Sequence, residues 1–403
     1  MRSIHSVFAE KFGGSGKIVK SPLRICPLGA HVDHQQGLVT GMALEDGILM
    51  MYAPNEEGYI RVQSLDFPDE EYLSLERPPE MIPGFWGNYI RGAALSLGRN
   101  FKLKRGINAV IRGRLPIGGL SSSAAVTTAY LLALAEVNGI ELNRTELIGY
   151  NHWVEKSFIG LNNGILDQSA NILSRKDQLM FMDCRTGEYS LKPRNPAMPD
   201  FEVVVVYSGI NKILISTDYN QRVDECKVAA LILQESGTGK TSPFGTVVLR
   251  DIPRDHFETH RGALPGRFRR RAEHFFSENE RVSKGLALWD EGDLDGFGRL
   301  VFESGESSIH LYECGAPELI SIYEILRDSP GVYGARFSGA GYRGCCIGLV
   351  DPSYRDEIRR RVDAVYPARH PEFASAYQVH FCRTGDGARI LDPEDVGESG
   401  GRG

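Results

Sequence analysis

Short apolar runs alternate along the chain with longer segments in which apolar positions recur at helical spacing. The runs INAVIRG at 107–113 and VVVVY at 203–207 are bounded by polar residues or glycine and predict strands. Similar runs predict strands at 333–337, 345–350 and 378–381. Because strands alternate with helices in both halves, the pattern predicts two domains of mixed helix and sheet.

The helical segments carry recognisable ends. The segment 121–138 predicts a helix that stops at Gly139, a residue that favours helix termination. Asn143 and Glu146 have the spacing of a capping box and predict the start of the next helix, with another beginning near Gly164. Apolar periodicity predicts further helices at 218–234, 269–289, 319–327 and 355–365.

A cluster of three prolines between residues 192 and 199 interrupts this pattern. Proline cannot donate to a sheet and restricts the residue before it, so the cluster is typical of a connection between domains. We therefore predict a first domain at 1–195 and a second at 196–390. The final segment, 391–403, is acidic and rich in glycine, and we expect a flexible tail.

Composition narrows the function classes. The 403 residues are 42% apolar and 24% charged, with a net charge of −6, which argues against a general nucleic-acid binder. The seven cysteines are odd in number and form no CxxC pair, which favours reduced thiols over a disulfide framework. No run approaches a membrane span, and the N-terminus lacks an apolar signal core. We expect a cytoplasmic protein without a membrane partner, as a monomer or weak homo-oligomer.

The strongest local signal is LPIGGLSSSAA at 115–125. A glycine pair lets the backbone approach an anion, and the serines begin a helix whose free N–H groups and dipole favour negative charge. This predicts a triphosphate site, although an ordinary glycine-rich turn with a serine N-cap has the same pattern. The loop residues predicted to bind nucleotide are Gly118, Gly119, Leu120, Ser121, Ser122, Ser123 and Ala124.

A second glycine-rich segment, GTGKT at 237–241, imitates the end of a Walker loop. Its first glycine is missing, because position 234 is Gln234, and a predicted helix rather than a strand precedes it. We therefore predict that this segment is a solvent-exposed loop.

Two further segments give the phosphate loop a context. PLRICPLGAHVDH stands at 22–34 and GARFSGAGYRGC at 334–345. In this order the three segments resemble the three motifs of the GHMP small-molecule kinases, and the first is similar to the sugar signature of the galactokinase family. The resemblance covers nearly the whole chain. It implies an α+β fold with a ribosomal-protein-like α/β N-terminal domain, a ferredoxin-like C-terminal domain and an active site between them.

The resemblance also implies roles for individual residues. Asp167 would face the anomeric hydroxyl of a sugar, and Arg24 would keep Asp167 ionised and stabilise the transferring phosphoryl group. ATP would be the donor, with Mg²⁺ held by Ser123 and Glu155. The residues implied to line the sugar site are Ala30, His31, Asp33, Gly164 and Tyr219. A metal site at His31 and His34 lacks a third ligand at suitable spacing.

Two departures from the galactokinase pattern bear on the substrate. Ala30 replaces a glutamate that contacts the C6 hydroxyl in galactokinases, and Arg343 replaces a glycine in the third motif. Loss of the glutamate would remove repulsion of a C6 carboxylate. The motifs thereby resemble those of the galacturonokinase branch and imply D-galacturonate as substrate. Arg343 could serve the sugar carboxylate or the nucleotide phosphates.

Three other functions fit parts of this pattern: a galactokinase with a relaxed C6 pocket, a non-catalytic galactokinase-like sugar sensor, and a distant GHMP kinase of another substrate. The serine run at 121–123, Arg24 and Asp167 argue for an enzyme over a sensor. The HVDH segment at 31–34 argues for a sugar over mevalonate-like or homoserine-like substrates.

Overall fold

The computed structural model describes residues 3–77, 80–115, 118–210, 218–392 and 394. Its strands are β1 Lys17–Ile25, β2 Leu38–Asn55, β3 Tyr59–Ser64, β4 Glu70–Ser74, β5 Gly106–Gly113, β6 Gln178–Asp183, β7 Tyr189–Pro193, β8 Glu202–Tyr207, β9 Val332–Phe337, β10 Cys345–Val350, β11 Gln378–Cys382, β12 Thr384–Gly385 and β13 Arg389–Leu391.

The helices surround two sheets. They are α1 Ile4–Phe12, α2 Asn88–Gly98, α3 Ser122–Val137, α4 Arg144–Trp153, α5 Leu166–Leu173, α6 Tyr219–Thr238, α7 Arg254–His260, α8 Gly266–Glu291, α9 Leu294–His310, α10 Pro317–Arg327 and α11 Arg355–Arg369. In the part of the chain that the structure describes, no helix is long and apolar enough to cross a bilayer.

The first sheet has the strand order β13-β1-β2-β5-β3-β4, and β6, β7 and β12 extend it beside β2. The strand β2 is long enough to have different partners at its two ends: β6 pairs with residues 38–41 and β5 with residues 48–55. Helix α5 packs directly on β2, since a Cβ atom on Gly41 would lie 2.7 Å from the Cβ atom of Ala170. This packing places the start of α5 beside the end of β1.

The second sheet has the order β11-β8-β10-β9, with every neighbouring pair antiparallel. All six residues of β8 are buried, as the apolar run predicts. The pair Cys345 and Cys346 lies buried in β10, and all seven cysteines are free thiols. The connection from β9 to β10, residues 338–344, contains most of the third motif.

The predicted elements are confirmed with small shifts at their ends. The capping box forms as expected: the Glu146 backbone N–H donates to Asn143 Oδ1 at 3.0 Å, and Glu146 Oε2 accepts from the Asn143 N–H at 2.9 Å. Helix α6 continues to Thr238, so the GTGKT segment begins inside a helix and its exposed remainder follows. The elements that were not predicted are the strands β1 to β4, β6, β7, β12 and β13 and the helices α1, α2, α7 and α9.

The chain returns to the first sheet at its end, which the predicted extent of the second domain does not anticipate. Strand β12 pairs with β2 at Leu44, and β13 pairs with β1, with Leu391 opposite Ile18. These strands have two and three residues, too few for a periodic pattern to mark them. The boundary predicted near residue 195 falls between β7 and β8 and stays a prediction. Most of the predicted tail lies outside the described residues.

Candidate active site

Arg24, near the end of β1, meets Asp167, in the first turn of α5. Arg24 Nε and Nη2 both donate to Asp167 Oδ1, at 2.9 and 2.5 Å. The arginine side chain is 4% exposed, whereas that of Asp167 is 23% exposed. Asn171, one turn further along α5, donates to the Pro22 carbonyl at 2.6 Å and thereby fixes α5 on β1. The pair is therefore a buried cation that holds a carboxylate at the surface of a cleft.

A second carboxylate faces the same place. Asp33, near the end of the first motif, begins a short turn, and its Oδ2 accepts from the Leu166 N–H at 3.4 Å. A Cβ atom on Gly164 would lie 2.6 Å from Asp33 Oδ2, so only glycine permits this approach. Burial and then the charge of Asp167 raise the pKa of Asp33 to about 6. The Asp33 and Asp167 carboxylates can both accept hydrogen bonds from hydroxyls of one ligand.

Tyr219 brings the second half of the chain to this carboxylate pair. It is buried at the first position of α6. Burial, followed by the charges of Asp33, Asp167 and Glu155, raises the pKa of Tyr219 well above its usual value. The phenol therefore stays protonated and can donate a hydrogen bond to a ligand between these groups.

Glu155 lies in a π-helical turn, Val154–Ile159, and is completely buried. Its Oε2 accepts from Asn163 Nδ2 at 2.6 Å and from Gln168 Nε2 at 2.5 Å. Its Oε1 is buried without a hydrogen-bond partner among the described residues. Burial and then the charge of Asp167 raise the pKa of Glu155 to about 7, while the neighbouring Ser123 and Asn163 side chains lower it. An unsatisfied hard oxygen beside a hydroxyl fits Mg²⁺.

The phosphate loop has the backbone that an anion site needs. Gly118 and Gly119 have φ angles of 138° and 78°, and Ser121 is left-handed with φ 57°. Ser121 makes no side-chain cap bond, and its Oγ is buried without a hydrogen-bond partner among the described residues. The serine N-cap is thus absent, and the first turn of α3 is open to a ligand. Pro116 and Ile117 lie outside the described residues.

This loop lies against both other motifs. The Leu120 carbonyl accepts from the Arg24 N–H at 3.2 Å. A Cβ atom on Gly119 would lie 2.8 Å from the Cys345 backbone nitrogen. Arg24 Nη1 also donates to Ser338 Oγ at 3.3 Å, so the three motifs converge on one cleft.

Ala30 and His31 are buried between the two halves of the chain. The Ala30 N–H donates to Glu278 Oε1 at 3.2 Å, and its carbonyl accepts from His274 Nε2 at 2.9 Å. The His31 ring stacks on Tyr312 at a centroid distance of 4.3 Å. The contacts of the His31 side chain are thus with second-half residues, and its role at a sugar stays a prediction.

The neighbouring histidine of the HVDH segment, His34, is held by hydrogen bonds rather than arranged for a metal. Its Nε2 lies 3.1 Å from Tyr312 Oη and its Nδ1 lies 3.1 Å from Gln35 Nε2. Its ring is therefore engaged within the protein.

Comparisons with known proteins agree with this geometry. The family GHMP kinases N terminal domain matches residues 88–175, GHMP kinases C terminal matches 285–368, and the Galactokinase galactose-binding signature matches 6–54. The galacturonokinase of Arabidopsis thaliana is 39% identical over 97% of this chain and 98% of its own length. The chain belongs to the GHMP kinases.

Other relatives of this GHMP kinase are galactokinases. That of Roseiflexus sp. is 32% identical over 93% of each chain. The crystal structure of Lactococcus lactis galactokinase complexed with galactose aligns with a TM-score of 0.86 and 27% identity, covering 96% of this chain and 98% of that one. Methanococcus jannaschii mevalonate kinase, at a TM-score of 0.65 and 19% identity over 92% and 99% of the chains, shares the fold. The two-domain GHMP fold is confirmed, and the chain is a sugar kinase.

Sequence reasoning gave Glu278 of this kinase no role, yet it anchors the sugar signature. Glu278 is completely buried, and its Oε1 accepts from the Gly29 N–H at 2.9 Å as well as from Ala30. Arg281 Nε donates to its Oε2 at 2.8 Å. The carboxylate comes from α8, about 250 residues further along the chain than the glycine it holds, and it ties α8 to the first motif.

The buried Glu278 carboxylate is expected to make the stability of the fold depend on pH. Burial alone would raise the pKa of Glu278, but Arg281, His274 and Arg336 outweigh it and lower the pKa from 4.5 to about 2. A carboxyl group whose pKa is lower in the folded than in the unfolded state stabilises the fold at pH values above the unfolded pKa. This stabilisation is lost as the pH falls from about 4.5 towards 2. At 1.36 kcal/mol per pKa unit, the Glu278 charge contributes about 3 kcal/mol to the free energy of unfolding at neutral pH.

We expect Glu278→Gln to lower the midpoint of thermal unfolding at pH 7, with the gap to wild type narrowing as pH falls from 5 to 2. Differential scanning calorimetry across this range measures the gap. Glu280→Gln is the matched control, because Glu280 lies on the same helix and its side chain is 47% exposed. A gap that does not change with pH would show that the Glu278 charge is unimportant.

Proposed function

We propose that this GHMP kinase transfers the γ-phosphoryl group of ATP to the anomeric hydroxyl of D-galacturonate and releases D-galacturonate 1-phosphate and ADP. The observation that carries the sugar assignment is Ala30, a small apolar residue where galactokinases have a glutamate. The site already contains Asp33 and Asp167, and a C6 carboxylate is repelled less when residue 30 adds no further carboxylate to them. The likeness to the Arabidopsis thaliana galacturonokinase supports this assignment.

In the proposed reaction, Asp167 accepts the hydrogen bond of the anomeric hydroxyl. Both Arg24 N–H groups bond to Oδ1, so Oδ2 is the oxygen we assign to the hydroxyl. The hydroxyl oxygen forms a bond to the γ-phosphorus, the bond from that phosphorus to the β,γ-bridging oxygen breaks, and the hydroxyl proton passes to Asp167 or to solvent. Arg24 stabilises the charge on the transferring group.

Asp33 and the Tyr219 phenol orient the ring hydroxyls in this proposal, and Gly164 leaves room for the sugar beside Asp33. The glycine pair and the first turn of α3, residues 118–124, hold the triphosphate. Ser123 and Glu155 would hold Mg²⁺, which would neutralise charge on the phosphate oxygens when bound. The Asn163 and Gln168 amides hold Glu155 Oε2 and leave Oε1 without a protein partner, so Oε1 is the oxygen that would bind the metal.

The sugar is tested by a coupled ADP-release assay of the purified chain with galacturonate, galactose, glucuronate and N-acetylgalactosamine. We expect the highest kcat/KM with galacturonate and a product phosphorylated at the anomeric position, identified by ³¹P NMR. A higher kcat/KM with galactose would make the protein a galactokinase, and no turnover with any sugar would favour a sensor.

The magnesium assignment gives a separate prediction. We expect Ser123→Ala and Glu155→Ala each to raise the Mg²⁺ concentration for half-maximal rate by roughly tenfold or more, because each removes a hard oxygen. The KM for the sugar should change less. A magnesium titration at saturating sugar measures the shift, with Ser283→Ala as control, because Ser283 is exposed on α8. Identical titration curves for wild type and both variants would contradict the assignment.

A further inference from the structure

One cation in the cleft has no role in the reaction proposed above. Arg343 lies in the 338–344 connection and is half-buried. Loss of water around its guanidinium lowers the pKa of Arg343, and the nearby titratable groups are the phenols Tyr89 and Tyr207. Among the described residues it forms no ion pair with a carboxylate. A half-buried cation without an anionic partner is unfavourable unless a ligand supplies the anion.

The backbone places this arginine beside the phosphate loop. A Cβ atom on Gly344 would lie 2.5 Å from the Gly119 backbone nitrogen, and one on Gly118 would lie 3.3 Å from the Gly344 Cα. The same Gly118 position is 3.7 Å from Tyr207 Cε2. Gly344, the residue that follows Arg343, therefore lies against the glycine pair.

The side-chain neighbours of Arg343 point in the same direction. The pKa of Tyr89 is raised to about 12, mainly by burial and then by the charge of Glu155. The charge of Arg343 acts on the same phenol and lowers its pKa. Tyr89 is thus near both the arginine and the proposed magnesium ligand. On the sugar side, Arg24 lowers the pKa of the carboxylate Asp33. These neighbours place Arg343 on the nucleotide side of the cleft.

We propose that Arg343 binds the phosphate groups of the nucleotide, together with the adjacent glycine pair and the first turn of α3. A guanidinium matches phosphate oxygens with two parallel N–H donors, which suits a triphosphate better than a single point charge does. The inference rests on the proposed function only in taking ATP as the phosphoryl donor. It assigns the extra cation of the third motif to the nucleotide rather than to the sugar carboxylate.

Equilibrium binding without sugar tests the proposal directly. Isothermal titration calorimetry measures ATP, ADP and adenosine on the full chain in the presence of Mg²⁺. We expect Arg343→Gln to weaken ATP and ADP by about 10- to 100-fold, the range for a lost charge-assisted hydrogen bond. Adenosine, which lacks phosphates, should bind as to wild type, and Arg343→Lys should recover part of the loss. Unchanged ATP and ADP affinities in a folded Arg343→Gln variant would overturn the proposal.

Steady-state kinetics distinguishes the two ends of the cleft. We expect Arg343→Gln to raise the KM for ATP and to leave the ratio of kcat/KM for galacturonate to that for galactose unchanged. A loss confined to galacturonate would place the guanidinium at the sugar carboxylate and overturn the proposal. The midpoint of thermal unfolding of each variant checks that it is folded. If Arg343→Gln is unstable, the same two measurements are made on Arg343→Lys. Because calorimetry uses no sugar, a wild-type enzyme inactive on galacturonate would contradict the substrate assignment alone.

Discussion

Asp167→Asn is expected to lower kcat by about a thousandfold while ATP still binds. The substitution keeps the shape of the side chain and removes both its charge and its ability to accept the hydroxyl proton, a contribution worth about 10²- to 10⁴-fold. Single-turnover measurements with saturating ATP and sugar separate this chemical step from product release. Asp356→Asn is the matched control, since Asp356 is exposed at the start of α11.

Arg24→Ala should produce a loss of similar size through a different route. It removes the cation that holds Asp167 Oδ1 and leaves the carboxylate without its partner. Near-normal turnover of a folded Asp167→Asn enzyme would remove Asp167 from the mechanism. Near-normal turnover of Arg24→Ala would do the same for the arginine.

Ala30→Glu is expected to shift the preference from galacturonate towards galactose. Two carboxylates about 4 Å apart in a partly buried site repel by roughly 4 kcal/mol, which corresponds to about a thousandfold loss of kcat/KM for the acid. Galactose should gain modestly, from one hydrogen bond of about 1 kcal/mol. The ratio of kcat/KM for the two sugars, measured side by side, reports the shift.

Ala30→Gln separates charge from size in this experiment. Ala30 is buried, so a longer side chain of either kind must displace its neighbours. If repulsion is the cause, glutamate should penalise galacturonate much more than glutamine does. Equal losses from both variants would make the effect steric. A ratio that Ala30→Glu leaves unchanged would remove residue 30 from sugar selection.

Much of the site could be predicted from short segments of sequence. The glycine pair at 118–119, the serines that follow it and the start of α3 lie within a few residues, so turn chemistry and helix-end physics apply directly. The resemblance to the family then implied Arg24, Asp33, Asp167 and Glu155. In the structure Arg24 bonds to Asp167, and the charge of Asp167 raises the pKa of both Asp33 and Glu155. The buried Oε1 of Glu155, which fits a metal, appears only in three dimensions.

The sequence by itself determined β5, the four strands of the second sheet, most of the long helices, the phosphate loop and the family, because these depend on periodicity and on contiguous motifs. The tertiary structure decided which distant groups meet. Arg24 and Asp167 are separated by 143 residues, and Glu278 reaches Gly29 across 249. Such contacts between buried charges depend on how β1, α5 and α8 pack, and no local pattern encodes that packing. The return of β13 to β1 is equally nonlocal, because a three-residue strand is specified by its partner rather than by its own sequence.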